Sequence, residues 1–339
     1  MWSIRRVTGK MSGVRWSLRF SEWQPTATEW MEACSRIQPE ELAQVNGFVF
    51  KKDAKATLIG RLLTRDFLTK ALNIPNNSLL MGRTDKGKPY VLDPPSAEHG
   101  WSFNLSHSGD YVVFGAERGC LLGIDVMRTD YPSRKSLQDY FQLMKSQFTP
   151  REWTLITSAP SESDELRNFY RLWCLKESYV KALGIGIGYS VSQLDFHLPP
   201  APAPITLDIA GVRQSDWIFR EFCIGEQHVG AVALQAPPGV LENRAEPTLI
   251  SREIEEVIAG LAPLHKVNEE VGKRFIGKAE RPESVGEIAV ASRPNAESLN
   301  NNKTIPHQKE SPTVWHSLLA RQFDNKRSSD SKNILMLEK

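Results

Sequence analysis

The sequence predicts an α+β protein of two similar lobes followed by a mostly disordered tail, and three observations lead there. Apolar residues recur at threes and fours along 53–72 and again along 163–183, the spacing of long amphipathic helices. Each of these helices has several short runs of strand character downstream, divided by turn-forming sequences. After "LQAPPGV" the chain turns to Glu, Lys, Ser, Asn, Pro and Arg, too polar on average to bury a core.

Taken in order, Val14, Trp16, Leu18 and Phe20 alternate at period two and mark a strand over 14–20. Thr26 caps a short helix through Arg36, and "QPEELAQVNGF" starts another with Pro39 near its first position. The helix at 53–72 stops at Asn73 and Pro75. Strands are expected at 79–83, 89–92, 101–105 and 111–116, joined by "TDKGKP" and "SHSGD". A boundary near Glu117–Gly119 separates a lobe over 12–118 from one over 119–236. The second begins with a strand at 121–127 and helices at 136–146 and 150–158, the latter opened by a capping box of Thr149, Pro150 and Glu152. Its long helix ends at Gly184, and strands at 191–198, 205–209, 217–224 and 228–235 complete it. In the tail, 237–339, two apolar clusters have helical spacing: Ile254, Val257, Ile258 and Leu261, then Trp315, Leu318, Leu319 and Phe323. Both are expected to be marginal and unanchored, so truncation near Gly239 is expected to leave activity intact.

Composition narrows the function. A net charge of +2 over 339 residues argues against nucleic acid as a partner. No segment reaches the ~20 unbroken apolar residues of a membrane span. Four scattered cysteines without a CxxC argue for a reducing compartment and against a structural zinc, which makes the cytosol the expected location. Arg5, Arg6, Lys10, Arg15 and Arg19, with no acid before Glu22, read like a mitochondrial presequence. The strand at 14–20 confines that reading to the first dozen residues.

Four stretches carry chemistry. In "RTDKGKP", Arg83, Lys86 and Lys88 surround Gly87, which lets the backbone come close to a phosphate; an ordinary basic hairpin turn is the plainer account. In "FNLSHSGDY", Asn104 and Ser106 share one strand face, with His107 at the strand end. Asp125 lies in an otherwise apolar strand, where a lone carboxylate costs several kcal/mol unless it is paired or holds a metal. Glu177 and Lys181, four apart beside the apolar stripe of the 163–183 helix, complete a set suited to Mg²⁺ and pyrophosphate. The glycines of "GIGIG" at 184–188 allow the chain to leave the helix close to a ligand.

Together "RTDKGKP", "FNLSH", "GIDVM" and "FYRLWCLKESYVKALGIGIG", in this order, resemble the 4′-phosphopantetheinyl transferase superfamily, in its large two-lobed animal type. The likeness runs from about Gly13 to Gln235. It implies lobes related by pseudo-twofold symmetry, with coenzyme A between them, and a monomer. It implies transfer of phosphopantetheine to a serine of apo acyl- or peptidyl-carrier domains, such as those of fatty acid synthase and an aminoadipate-pathway enzyme. Arg83, Lys86, Gly87, Lys88, Asn104, Ser106 and His107 would then bind coenzyme A. Asp125 and Glu177 would hold Mg²⁺, Glu177 would take the serine proton, and Lys181 would neutralise the leaving phosphate.

Two positions depart from the family pattern. Met127 stands where many members carry a further acid, and Gln44 where the animal type tends to carry a basic residue. A carrier-binding scaffold without catalysis is the alternative, against which the intact Asp125, Glu177 and Lys181 speak. A metal-dependent phosphoesterase would use the same acids with water as nucleophile.

Overall fold

The computed structural model describes residues 13–93, 99–130, 136–185, 189–236 and 245–280. The basic segment before Gly13, Gly186 and Gly188 of "GIGIG", and the apolar cluster at 315–323 lie outside the described residues. The protein is α+β, as predicted. Strand β1 (Gly13–Arg19) leads to α1 (Ala27–Cys34), whose reciprocal Thr26–Glu29 cap is the one the sequence marks. Next come α2 (Pro39–Asn46) and α3 (Lys51–Leu72), the latter ended by Asn73 in the left-handed conformation. A hairpin of β2 (Leu80–Arg83) and β3 (Pro89–Asp93) carries the basic loop, and β4 (Trp101–Ser108) and β5 (Tyr111–Arg118) follow.

The second half repeats this outline. β6 (Leu121–Arg128) precedes α4 (Leu137–Met144), α5 (Pro150–Thr157) and the 22-residue α6 (Glu162–Leu183). β7 (Leu194–His197), β8 (Thr206–Ile209) and β9 (Val212–Arg213) form one small sheet, whereas β10 (Trp217–Ile224) and β11 (His228–Gln235) pair antiparallel beside β6. Each half thus packs one 22-residue helix against a sheet, α3 in one core and α6 in another.

The expectation of a mostly disordered tail from residue 237 fails over 245–280. The chain returns to the N-terminal half, where β12 (Leu249–Ser251) pairs parallel with β1 and completes the sheet order β12-β1-β5-β4. α7 (Ile254–Ala259) buries Ile254 and Val257, and α8 (Glu269–Ile276) inserts Phe275. The Phe275 ring stacks on buried Trp30 with centroids 3.7 Å apart. The average composition misled because each of the few apolar residues enters a core that other segments have already formed. The 254–261 cluster is therefore anchored, and the first half of the fold is not confined to 12–118.

Lys176, at the centre of α6, is structural. It is fully buried and donates to Glu152 Oε2 at 2.8 Å and to the carbonyls of Val191 and Leu194. Glu152 also accepts from the Thr149 and Phe196 amides, so every charge in the network has partners. Lys176→Met strands the buried carboxylate and is expected to cost about 3–5 kcal/mol in urea unfolding at neutral pH. Burial already pushes the Glu152 carboxyl upward against the pull of Lys176. Its neutral form is therefore the one the folded variant tolerates, and the deficit should shrink as pH falls. A deficit independent of pH would rule that account out.

Candidate active site

β6 is the edge of its sheet and β4 the edge of the other, and the two edges lie side by side. They are joined through side chains at a constant offset of 20 residues, not by a backbone ladder. Ser102 Oγ accepts from the Leu122 amide (3.1 Å), Asn104 Oδ1 from Ile124 (3.3 Å), and Ser108 Oγ from Arg128 (3.1 Å). Alternation along β4 puts all three on one face, so the edge amides of β6 are satisfied without a continuous sheet. Ser106 shares that face but departs from the ladder. Its hydroxyl donates to Asp125 Oδ1 at 2.7 Å and accepts from Lys181 Nζ at 2.8 Å.

Asp125 sits on β6 directly under α6. Lys181 Nζ reaches its Oδ1 at 2.5 Å, while Oδ2 is buried, and the fully buried Cys174 thiol lies against the same carboxylate. Glu177, one turn earlier on α6, is half-buried and makes no hydrogen bond among the described residues. Burial, then the neighbouring Asp125 charge, pushes the Glu177 carboxyl above the usual range, and Lys181 offsets this only in part. A buried carboxylate oxygen without a donor costs about 1–3 kcal/mol unless a positive partner meets it. The oxygen donors of Asp125 and Glu177 fit a hard divalent cation. Met127 is packed in the C-terminal core, and no group of three or more metal-ligating side chains occurs among the described residues. Among the described residues two acids serve the site, leaving other positions to water or phosphate.

Gly123 makes this geometry attainable. A Cβ there would lie 1.9 Å from the Ser178 carbonyl oxygen and 2.4 Å from the Ala182 nitrogen, both backbone atoms of α6. Gly123→Ala must push the helix off the strand and carry Glu177 and Lys181 away from Asp125. We expect a loss of about 1–3 kcal/mol in stability, and a fall in turnover larger than the unfolded fraction explains. A variant with normal turnover per folded molecule would show that the close approach is dispensable.

The basic loop is a tight turn. Gly87 (φ 84°) donates its amide to Thr84 O, and the Thr84 amide donates to Lys88 O. Arg83 donates to the Gly87 carbonyl at 2.9 Å, while Lys86 is exposed. Lys88 instead reaches α6, where its Nζ donates to the Ala182 carbonyl at 2.9 Å. Asn104 is committed to the seam, and Ser106 to Asp125 and Lys181. His107 is exposed and, by alternation, begins on the face opposite Ser106. Gln44 Oε1 accepts from buried Arg61 at 2.7 Å, and Lys55 Nζ donates to the Trp23 carbonyl, so both belong to the scaffold of the first half. Gly123 and the seam residue Ser102 were not singled out in the sequence, and Ser108 was read only as a turn cap. The glycine of "GID" beside an isolated acid was the available signal for the first.

Comparison with known proteins is consistent across the chain. A family model described as 4′-phosphopantetheinyl transferase, N-terminal, matches residues 21–119, and one described as 4′-phosphopantetheinyl transferase superfamily matches 121–233. The L-aminoadipate-semialdehyde dehydrogenase-phosphopantetheinyl transferase of Homo sapiens is 42% identical over 241 residues, covering 68% of this chain and 77% of that protein. The protein of the same name from Xenopus laevis is 34% identical over 291 residues, 80% of this chain and 94% of its own. A match of that length necessarily runs past Gln235 into the returning segment. A phosphopantetheinyl transferase of Thraustochytrium sp. is 35% identical over 225 residues, 65% of this chain and 77% of its own.

Proposed function

From the premise that this chain belongs to the 4′-phosphopantetheinyl transferase superfamily, we propose that it transfers phosphopantetheine from coenzyme A to a serine of apo acyl- or peptidyl-carrier domains. The serine oxygen forms a bond to the β-phosphorus as the pyrophosphate bridge breaks, and adenosine 3′,5′-bisphosphate leaves. The observation that carries the reading is the convergence on the last two turns of α6. Asp125, Glu177 and Lys181 meet there, and Lys88 of the basic loop reaches the same helix end.

Each residue then has a distinct task. Arg83, Lys86 and the Gly87 backbone hold the phosphate at the adenosine end. Lys181 donates to oxygens of the departing nucleotide and lowers the charge that builds up there. Glu177 accepts the proton of the carrier serine, directly or through water. The carboxylates of Asp125 and Glu177 would hold Mg²⁺, which when bound supplies charge neutralisation at the pyrophosphate. Ser106 keeps Asp125 Oδ1 and Lys181 together.

The test is the mass of an apo acyl-carrier protein after incubation with this protein, coenzyme A and Mg²⁺. A gain of one phosphopantetheine, abolished by Glu177→Gln, is expected. No gain from several carriers, with coenzyme A still bound, would favour the scaffold reading. Carrier-independent release of the bisphosphate would favour a phosphoesterase.

A further inference from the structure

Lys88 lies within the basic loop, yet its side chain turns away from the phosphate-binding turn. Its Nζ donates at 2.9 Å to the carbonyl of Ala182, in the last turn of α6. That carbonyl is one of the four at a helix end that lack an intrahelical donor. A cation there also meets the negative end of the helix dipole. The stem of Lys88 is fitted to the place. Gly184 closes the helix at φ 68°, and a Cβ on it would lie 3.0 Å from Lys88 Cδ. The Gly184 amide donates to the carbonyls of Val180 and Lys181, so the capped turn is the one that carries Lys181. The Lys88–Ala182 bond joins the hairpin of one half to the helix of the other that carries Glu177 and Lys181.

We propose that Lys88 is a positioning residue for the transfer: it caps the C-terminus of α6 and so fixes Lys181 against Asp125 and Ser106. The inference rests on the transferase reading above and departs from the assignment of Lys88 to phosphate binding. Through this bond the loop that takes the adenosine-end phosphate and the residue that meets the leaving group share one anchor. Lys181 Nζ must hold Ser106 at 2.8 Å and Asp125 at 2.5 Å simultaneously. Loosening its turn by even half an ångström degrades both contacts, and the cost falls on turnover more than on substrate affinity.

Lys88→Met keeps the stem over Gly184 and removes the donor and the charge; Lys88→Arg keeps all three. We expect Lys88→Met to lower kcat about tenfold with KM for coenzyme A within about twofold of wild type, and Lys88→Arg to restore most of kcat. The same ratio of wild-type to variant kcat is expected with 3′-dephospho-coenzyme A, which lacks the phosphate the loop would bind. Without any substrate, hydrogen exchange at the Gly184 amide should be faster in Lys88→Met than in wild type and normal in Lys88→Arg. A rise in KM at unchanged kcat, or a defect confined to coenzyme A and absent with the dephospho form, would make Lys88 a phosphate ligand and overturn the proposal. Unchanged exchange at Gly184 would overturn it as well, and that reading survives a variant too weak to assay. An inactive wild type would instead sink the transferase reading, leaving the exchange result to decide on the cap alone.

Discussion

A chain ended after Gly239 is expected to lose the fold of its N-terminal half, whereas one ended after Glu280 is expected to melt and turn over like the full protein. The shorter chain lacks β12, α7 and α8, and with them Ile254, Val257, Leu261 and Phe275, all buried in the first core. Burial of a large apolar side chain contributes about 1.5–3 kcal/mol, so four of them rival the 5–15 kcal/mol that holds a typical domain. The loss is compounded at Asp66, a fully buried carboxylate on α3. Arg252 pairs with its Oδ2 at 3.2 Å and lies over the Trp16 ring, leaving the largely exposed Lys70 as the other partner. Removing one partner of a buried charge is among the more damaging changes a fold can suffer. Thermal melting of the two truncations decides the matter. If the 1–239 chain unfolds cooperatively near the full-length midpoint, the returning segment is an ornament. Phe275→Ala gives a milder version of the same test, with an expected cost of about 3–5 kcal/mol from the emptied face of Trp30.

The contrast with the sequence reading is instructive because the same local rules succeeded elsewhere. The caps at Thr26, Thr149 and Gly184 and both long helices were legible, since each is specified within a few residues of itself. So was the isolation of Asp125 in an apolar strand. What escaped the sequence depends on partners far along the chain. The 254–261 cluster is marginal alone and becomes a helix only on a core built from residues 16–116. The seam between β4 and β6 uses serines and an asparagine whose acceptors suit turns or ligands equally well. Only the assembled sheets show that three of the four are committed to amides 20 positions on. Neighbouring Lys176 and Glu177 fall on different sides of α6, one in a sealed network and one beside Asp125. Helical spacing alone ranks such neighbours poorly, because what faces each of them is set by α5 and β7 for the first and by β6 for the second.

Asp125→Asn is expected to lower kcat/KM about a thousandfold, a loss of about 4 kcal/mol in transition-state stabilisation. It removes the charge that pairs Lys181 and one of the two acids that would meet a cation, while keeping the side chain's shape. The loss should exceed that of Glu177→Gln in cation affinity, since Ser106 and Lys181 fix the Asp125 carboxylate in advance whereas Glu177 has no such support. The pH dependence gives a sharper check. In the wild type, burial and the Asp125 charge raise the Glu177 carboxyl, so Glu177 holds its proton further up the pH scale than an exposed glutamate. A cation must displace that proton, and its affinity should therefore fall as pH drops toward the raised value, at a higher pH than an ordinary carboxylate pair would show. In Asp125→Asn the repelling charge is gone and Lys181 loses its partner, and both changes favour ionised Glu177. Residual cation binding, measured by calorimetry without coenzyme A, should then persist to lower pH than in the wild type even though it is weaker. A limb that stays in place, or moves upward, would mean that Glu177 and Asp125 do not share one cation. The second acid would then have to serve the carrier serine alone.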